Sequence, residues 1–253
     1  MAFPSWYDQK FGPHTVSLYR DEVCNTDAQV ETLAGVAGST SKGPLLDLCC
    51  GWGRHALALT RRGYQVVGLD GSKYFLGKLS SEITPALRPL LAPVRGDMCS
   101  LPFAESSMAA VFQMYTSFGY GTTATDDMEV LSGVCRVLRP GGYYLLDMIN
   151  WTLARQAFDG KYEDEYDEFD VVEDCRIDSK LDLLRINRAL LYRDGRPPYV
   201  YEFEIRMFDR LRLSAMLEEA DLKIVDFWGD FDRSAYKPDR SLRMIAVCRK
   251  EQS

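Results

Sequence analysis

The sequence has few of the residues on which metal centres and disulfide frameworks depend. Its 253 residues include only two histidines, and its seven cysteines are scattered, with no C-x-x-C pair among them. That pattern is typical of reduced, mostly buried thiols. The acidic run over 159–174 lacks the carboxylate spacing of a calcium loop. We therefore predict no metal site, and we interpret this run as a solvated face or loop.

Positive charge and long apolar runs are also scarce. The formal net charge is −7, so no extended positive field would attract nucleic acid or anionic lipid. No apolar run approaches the length that spans a bilayer, and the first residues, MAFPSWYDQKFGPH, lack a signal-peptide pattern. These absences predict a cytoplasmic protein, a monomer or homodimer, with neither nucleic acid nor membrane as partner.

From Leu45 onward, short apolar runs alternate with helix-length segments. The runs LLDLC, QVVGLD, APVRGD, AAVFQMY and YYLLDMI are predicted strands, and residues 54–62, 72–83 and 126–138 are predicted helices. This alternation is typical of βα units, which build a doubly wound, mostly parallel sheet in an α/β fold. Pro140-Gly141-Gly142 is expected to stop the last of these helices before its strand begins.

The remaining segments are predicted to surround this core within a single domain. Residues 1–43 read as an N-terminal helical cap or lid, 44–150 as the core, 151–210 as an acidic segment with an antiparallel insert, and 211–253 as a helix with closing strands. Asp194-Gly195 favours a tight hairpin turn. Alternating apolar residues from Tyr199 to Met207 either cover the sheet or wall a substrate pocket.

A glycine turn follows the first predicted strand. Gly51-Trp52-Gly53-Arg54-His55-Ala56 satisfies the G-x-G-x-x-A dinucleotide pattern, and Asp70 ends the next strand where a ribose-binding acid is expected. Alone, the turn allows an NAD(P)-dependent reductase. Asp47 argues against it, because a carboxylate before the turn repels a pyrophosphate but attracts an ammonium group. Asp97 supplies a second acid after the third strand.

Three phrases carry a resemblance to a known family: LLDLCCGWGRHALALTRRGYQVVGLDGS, VRGDMCSLPF and VCRVLRPGGYYLLDM. Together they resemble the class I S-adenosylmethionine-dependent methyltransferases, in particular the small-molecule, natural-product subgroup. The resemblance runs from Leu45 to Ile149. It implies a Rossmann-like sheet of seven strands, S-adenosyl-L-methionine as cofactor and S-adenosyl-L-homocysteine as product.

The resemblance also implies roles for particular residues. The turn at Gly51 and Gly53 would face the methionine portion, Asp70 would bind the ribose hydroxyls, and Asp97 with Met98 would frame the adenine. Cys49 departs from the family pattern, which has a glycine there. The full set of predicted cofactor-binding residues is Tyr7, Tyr19, Asp47, Cys49, Gly51, Gly53, Asp70, Gly71, Asp97, Met98 and Met114.

The acceptor and the catalytic base are less constrained by the sequence. His14 and Tyr115 are the candidates for a base, whereas His55 is expected to be structural. We expect a bulky or aromatic small-molecule acceptor. Oxygen is favoured over nitrogen or carbon as the methylated atom. A non-catalytic scaffold that keeps the cofactor fold is a further alternative. The aromatic residues available to wall the acceptor pocket are Trp6, Tyr7, Phe11, Tyr120, Tyr199, Phe203, Trp228 and Phe231.

Overall fold

Strands and helices alternate along the first part of the chain, as predicted. The computed structural model describes residues 10–19, 26–40, 42–121, 123–158 and 160–251. Up to Ile149 the elements are α1 (Pro13–Leu18), α2 (Thr26–Ala37), β1 (Leu45–Leu48), α3 (Arg54–Arg61), β2 (Val66–Asp70), α4 (Lys73–Glu82), β3 (Leu91–Arg95), β4 (Met108–Gln113), α5 (Ala124–Val137) and β5 (Leu138–Ile149). After it come α6 (Trp151–Ala154), β6 (Gly160–Glu165), β7 (Phe169–Asp178), β8 (Leu183–Tyr192), β9 (Tyr199–Arg206), α7 (Arg210–Glu219), β10 (Leu222–Trp228) and β11 (Arg243–Lys250).

Seven of these strands form the central sheet, in the order β10-β11-β5-β4-β1-β2-β3. The five strands β1 to β5 pair in parallel, and β11 is antiparallel to both of its neighbours. The predicted Rossmann-like, mostly parallel seven-stranded sheet is therefore confirmed, including the antiparallel closing strand. No described helix has both the length and the apolar character needed to cross a membrane.

The central strands lie in the core because their sequences are apolar on both faces. Every residue of β1 and of β4 is buried, as expected for parallel strands that helices cover on both sides. Since consecutive parallel strands end at the same edge, the loops after β1, β2, β3 and β4 meet there.

The Pro-Gly-Gly prediction is wrong in detail. Strand β5 begins at Leu138 and already contains Pro140, Gly141 and Gly142. Its pairing with β4 shifts register between Met108 and Ala110, beside the triplet. The triplet therefore lies in an irregular first part of the strand, where a proline can be accommodated next to a bulge.

The segment after α6 forms a second, antiparallel sheet of four strands in the order β6-β7-β8-β9. The predicted hairpin between β8 and β9 is confirmed, but its connection, residues 193–198 with Asp194-Gly195 among them, is longer than the predicted tight turn. The acidic run is strand rather than loop: it supplies β6 and the first part of β7, and most β6 side chains are exposed. Of the two interpretations of this run, the solvated face is the correct one. The four segment boundaries stay predictions.

The apolar face of β9 packs on the described part of the lid, residues 10–19. The His14 ring lies 5.2 Å from the Tyr199 ring and 5.3 Å from the Tyr201 ring, measured between centroids. Ser72, the N-cap of α4, accepts a hydrogen bond from Phe75 N at 3.2 Å and donates one to Phe11 O at 2.7 Å. The described part of the lid, 10–19, is thus held between the second sheet and the cofactor side of the first.

Candidate functional site

A cleft opens at the edge where the parallel strands end. Its empty volume, open mouth included, is about 1010 Å³. Nine predicted site residues line it: Tyr19, Asp47, Cys49, Gly51, Asp70, Gly71, Met98, Met114 and Tyr115. The other residues of its lining are Phe11, Thr15, Cys50, Trp52, Arg54, His55, Leu69, Phe75, Gly96, Thr116, Ser117 and Tyr120.

The turn after β1 is built from left-handed backbone. Cys49, Gly51 and Gly53 have φ values of +61°, +56° and +81°. A Cβ at Gly53 would overlap the Leu79 side chain on α4. The conformation of Cys49 explains why a glycine is favoured at this position, since a side chain in the left-handed region costs about 1–2 kcal/mol. Its Sγ lies 3.7 Å from Met98 Sδ, so the thiol fills space beside a predicted adenine contact.

Asp47 is a buried carboxylate at the bottom of the cleft. Its side chain is 1% exposed, and Oδ2 accepts a hydrogen bond from Ala56 N at 3.1 Å. Burial raises the pKa of Asp47 to about 7, against the opposing effect of the nearby Arg54. A positively charged ligand group beside this carboxyl would favour its ionised form.

Asp70 holds the glycine turn and the next helix together. Its Oδ2 accepts a hydrogen bond from Gly51 N and its Oδ1 accepts one from Ser72 N, both at 2.8 Å. Burial raises the pKa of Asp70 to about 6, although these backbone N–H groups act in the opposite direction. Each oxygen of a carboxylate has a second lone pair, so the side chain can still accept ligand hydroxyls.

Arg54 and His55 line the cleft, although the sequence analysis gave neither a binding role. Arg54 Nη1 donates to Gln29 Oε1 at 2.6 Å and to Thr26 Oγ1 at 3.1 Å, which ties the guanidinium to α2. His55 Nε2 lies 2.8 Å from the same Gln29 oxygen, and burial lowers the pKa of His55 well below its usual value. The expected structural role of His55 fits these contacts. The position of Arg54 directly after Gly53 was the signal that could have identified it.

Tyr115 stands in a strained loop after β4. Tyr115 and Thr116 have φ values of +63° and +54°, which non-glycine residues rarely adopt. Tyr115 N donates to Asp147 Oδ2 at 2.8 Å, and Arg243 Nε donates to Asp147 Oδ1 at 2.7 Å. The guanidinium carbons of Arg54 and Arg243 lie 5.5 Å and 5.3 Å from the centre of the Tyr115 ring. The loop therefore presents an aromatic face that is fixed from both sides.

Three of the described site residues, His14, Asp97 and Gly53, are not part of the cleft lining. His14 lies on the other side of the lid, where its Nε2 is 3.1 Å from Lys10 O. Asp97 Oδ1 accepts a hydrogen bond from Cys99 N at 3.0 Å. Gly53 is the N-cap residue of α3. Tyr7 lies outside the described residues. The roles assigned to these four stay predictions.

The aromatic residues that were predicted to wall the acceptor pocket lie in different parts of the structure. Phe11 and Tyr120 line the cleft, whereas Tyr199 and Phe203 belong to the face of β9 that packs on the lid. Trp228 and Phe231 belong to the core. Within the described ranges, no three His, Cys, Asp or Glu residues lie together as metal ligands would.

Residues 45–142 match the model of a family described as a methyltransferase domain. An uncharacterised methyltransferase from Synechocystis sp. is 37% identical over 103 residues, which cover 40% of this chain and 45% of that protein. The chain spans about half the length of the curated relatives it matches. The predicted resemblance to a methyltransferase domain is confirmed for this segment.

Solved structures match over most of the chain. The CcbJ methyltransferase from Streptomyces caelestis has a TM-score of 0.78 at 22% identity, covering 89% of this chain and 95% of that one. The sugar N-methyltransferase KedS8 from Streptoalloteichus sp. has a TM-score of 0.69 at 17% identity, covering 93% of this chain and 92% of that one. At these identities the likeness concerns the fold, which therefore includes the second sheet as well as the first.

Proposed function

Because residues 45–142 form a methyltransferase domain, we propose that this chain transfers a methyl group from S-adenosyl-L-methionine to a small-molecule acceptor. The cofactor supplies a methyl group bound to a positively charged sulfur. The observation that carries the proposal is the pair of buried carboxylates, Asp47 and Asp70, on either side of the left-handed turn at Gly51. Two acids suit a ligand with a cationic end and a ribose better than a ligand with a pyrophosphate.

The cleft offers a partner for each part of this cofactor. Asp47 would bind the ammonium of the methionine portion, and Arg54 would bind its carboxylate as a guanidinium does. Asp70 would accept hydrogen bonds from the ribose hydroxyls. Met98, with Asp97 nearby in the chain, would frame the adenine, and the Tyr115 ring would lie near the positive sulfur, which an aromatic face attracts.

The contact between Asp47 and α3 disfavours the nicotinamide alternative. In dinucleotide-binding folds the pyrophosphate lies at the N-terminus of the helix after the glycine turn. In this chain the Ala56 N–H in the first turn of that helix already donates to the Asp47 carboxylate. A pyrophosphate there would face a carboxylate 3.1 Å from the helix N–H that should bind it.

The acceptor would enter from the side of the lid. Phe11, Thr15, Tyr19 and Tyr120 line that part of the cleft and would hold a bulky or planar molecule, as expected of a natural-product intermediate. The predicted acceptor atom is oxygen, with nitrogen second. The likeness to a sugar N-methyltransferase supports giving nitrogen equal rank.

Calorimetric titration with S-adenosylhomocysteine tests the proposal. We expect saturable 1:1 binding, and the same titration with NADH should show none. Binding of NADH without binding of S-adenosylhomocysteine would favour the reductase instead. Tight binding of S-adenosylhomocysteine without product from any phenol or amine in a broad panel would favour the non-catalytic scaffold.

A further inference from the structure

The first described residue of the lid places an amine in the interior of the protein. Lys10 is 4% exposed, and its Nζ has no hydrogen-bond partner among the residues that the structure describes. Three aromatic rings surround this nitrogen, with centroids 3.4 Å (Phe203), 3.8 Å (Tyr120) and 5.0 Å (Phe11) away. A buried polar group without a partner is costly, so its retention suggests that a ligand completes it.

The surroundings of this amine favour its neutral form. Burial lowers the pKa of Lys10 well below its usual value, and the nearby Arg188 lowers it further, while Glu173 opposes them. Arg188 is paired with Glu173, and its guanidinium carbon lies 5.3 Å from the Phe203 ring. The other titratable groups that interact with these residues are His14, Tyr19, Cys49, Tyr120 and Tyr201. A neutral amine has a free lone pair and can take up a proton.

The amine lies directly behind the acceptor side of the cleft. Phe11 and Tyr120 contribute both to the ring cage around Nζ and to the cleft lining. The Lys10 backbone is fixed there because its carbonyl oxygen accepts a hydrogen bond from Thr15 Oγ1 at 2.7 Å, and Thr15 lines the cleft as well. The two rings contact each other edge to face, with centroids 6.1 Å apart, so an acceptor that displaces one of them would meet this nitrogen.

We propose that Lys10 Nζ binds the O–H or N–H of the acceptor and takes its proton during methyl transfer. This rests on the methyltransferase function proposed above. It gives the role of base to a residue other than His14 and Tyr115, the two candidates from the sequence. His14 contacts the lysine carbonyl from outside the cleft, and Tyr115 stands at the cofactor end.

The reaction balances without any further reagent. The acceptor lone pair forms a bond to the methyl carbon, the carbon–sulfur bond breaks, and its electron pair stays on sulfur to give the neutral thioether of S-adenosylhomocysteine. The proton of the acceptor moves to Lys10 Nζ. The resulting ammonium is held by the faces of the three rings until it releases the proton to water.

The first test measures the protonation of Lys10 directly. Protein with ¹³C at the lysine Cε is titrated by NMR in the presence of S-adenosylhomocysteine, and the signal missing from Lys10→Met is assigned to Lys10. We expect its midpoint at least one pH unit below the usual lysine value of about 10.4. A midpoint at or above that value would overturn the proposal.

The second test asks whether the amine takes a proton from a bound phenol. 4-Nitrophenol is added at slightly acidic pH to the complex with S-adenosylhomocysteine, and the phenolate absorption is recorded. We expect phenolate with the wild type and with Lys161→Met, an exposed-lysine control, and at least about a tenfold lower signal with Lys10→Met. Equal phenolate with Lys10→Met, or none with the wild type, would contradict the proposal.

Titration of each variant with S-adenosylhomocysteine separates this inference from the proposed function. We expect Lys10→Met to bind S-adenosylhomocysteine like the wild type, because Lys10 Nζ contacts the rings of Phe11, Tyr120 and Phe203, whereas the proposed cofactor contacts are made by Asp47 and Asp70. If neither the wild type nor any variant binds S-adenosylhomocysteine, the proposed function is refuted. If the wild type and all variants bind S-adenosylhomocysteine but the phenolate signal or the Lys10 midpoint contradicts the expectation, only the proposed role of Lys10 is refuted.

Discussion

The cofactor side and the lid side of the cleft are built by different means. On the cofactor side, Asp47, Gly51 and Asp70 lie within 24 positions of the chain and are joined by backbone N–H to carboxylate hydrogen bonds. On the lid side, Lys10, Tyr120 and Phe203 come from three distant segments and meet through ring and charge contacts. The first arrangement is fixed locally by one βαβ unit, whereas the second depends on how the second sheet packs.

This difference predicts that substitutions on the two sides have separable effects. Changes on the cofactor side should weaken cofactor binding and the stability of the glycine turn. Changes on the lid side should leave cofactor binding intact and alter the acceptor step or the stability of the second sheet. Six measurements test this separation, from the cofactor contact of Asp70 to Cys49, where the smallest effect is expected.

Replacing Asp70 should give the largest effect, and it belongs to the cofactor side. Asp70→Ala removes the proposed ribose acceptor and the partner of Gly51 N and Ser72 N. Hydrogen bonds to a charged group contribute about 1.5–3 kcal/mol, so we expect S-adenosylhomocysteine to bind about 100-fold more weakly by calorimetry. Asp70→Asn, which keeps one acceptor oxygen, should lose less. An unchanged affinity in Asp70→Ala would refute the assignment.

The ion pair of Arg188 and Glu173 should dominate the stability of the second sheet. Their side chains are 12% and 18% exposed, whereas those of the pair Arg185 and Glu204 are 50% and 52% exposed. Removing one partner of a buried pair costs about 3–5 kcal/mol of folding stability. Because this pair is partly exposed, we expect Arg188→Met to cost about 2 kcal/mol. Arg185→Met should cost less than about 1 kcal/mol. Urea unfolding measures both, and similar losses would mean that burial does not distinguish these pairs.

The glycine turn should be sensitive to packing as well as to backbone conformation. Gly53 and Gly63 both have positive φ, but only at Gly53 would an added Cβ overlap a side chain, that of Leu79. Both alanine variants should lose about 1–2 kcal/mol from the left-handed backbone. Gly53→Ala should lose about 1–3 kcal/mol more through overpacking, as judged by urea unfolding. Equal losses at the two positions would show that Leu79 moves aside freely.

The affinity for the cofactor product should fall as the pH is lowered. The pKa values of Asp47 and Asp70 are raised to about 7 and about 6, and the ligand requires both carboxylates ionised. Below these values each group weakens binding by up to about 1.4 kcal/mol per pH unit. Titrations between pH 8 and pH 5 should show this decline, with a smaller slope in Asp47→Asn. A flat profile would exclude a role for the two acids.

The free protein should show the opposite trend in stability. Because both acids have raised pKa values in the folded state, the folded chain binds protons between about pH 4 and pH 7 that the unfolded chain does not. Their contribution to stability is therefore greatest below pH 4 and is lost as the pH rises through 7. We expect the melting temperature to be higher with S-adenosylhomocysteine than without it, and this difference should become smaller as the pH falls. Thermal unfolding with and without the ligand is the measurement.

The smallest expected effect concerns Cys49. Cys49→Gly should be more stable than Cys49→Ala by about 1 kcal/mol, because only glycine relieves the left-handed strain at φ +61°. Both variants lose the contact between Sγ and Met98, so that loss cancels in the comparison. Thermal unfolding of the two variants is the measurement. Greater stability of the alanine variant would argue that strain at this position is negligible.

The parts of the site that were predictable share one property, which is short separation along the chain. Strand, turn and helix around Gly51 follow a period and a residue pattern that depend only on neighbours, and Asp70 ends the next strand of the same unit. The Pro-Gly-Gly triplet was misplaced because pairing with β4 extends β5 backwards through an irregular register. The acidic run was not recognised as strand because its solvated side chains conceal the alternation that a buried face would give.

By itself, the sequence determined the doubly wound sheet, the glycine turn after its first strand and the two carboxylates beside that turn. These follow from local periodicity and from chemistry that needs specific residue types at short spacing. Only the tertiary structure decided that His14 does not line the cleft and that Lys10 is buried among three rings. Those contacts depend on how a four-stranded sheet, distant in sequence, packs on the lid, and no local pattern encodes that packing.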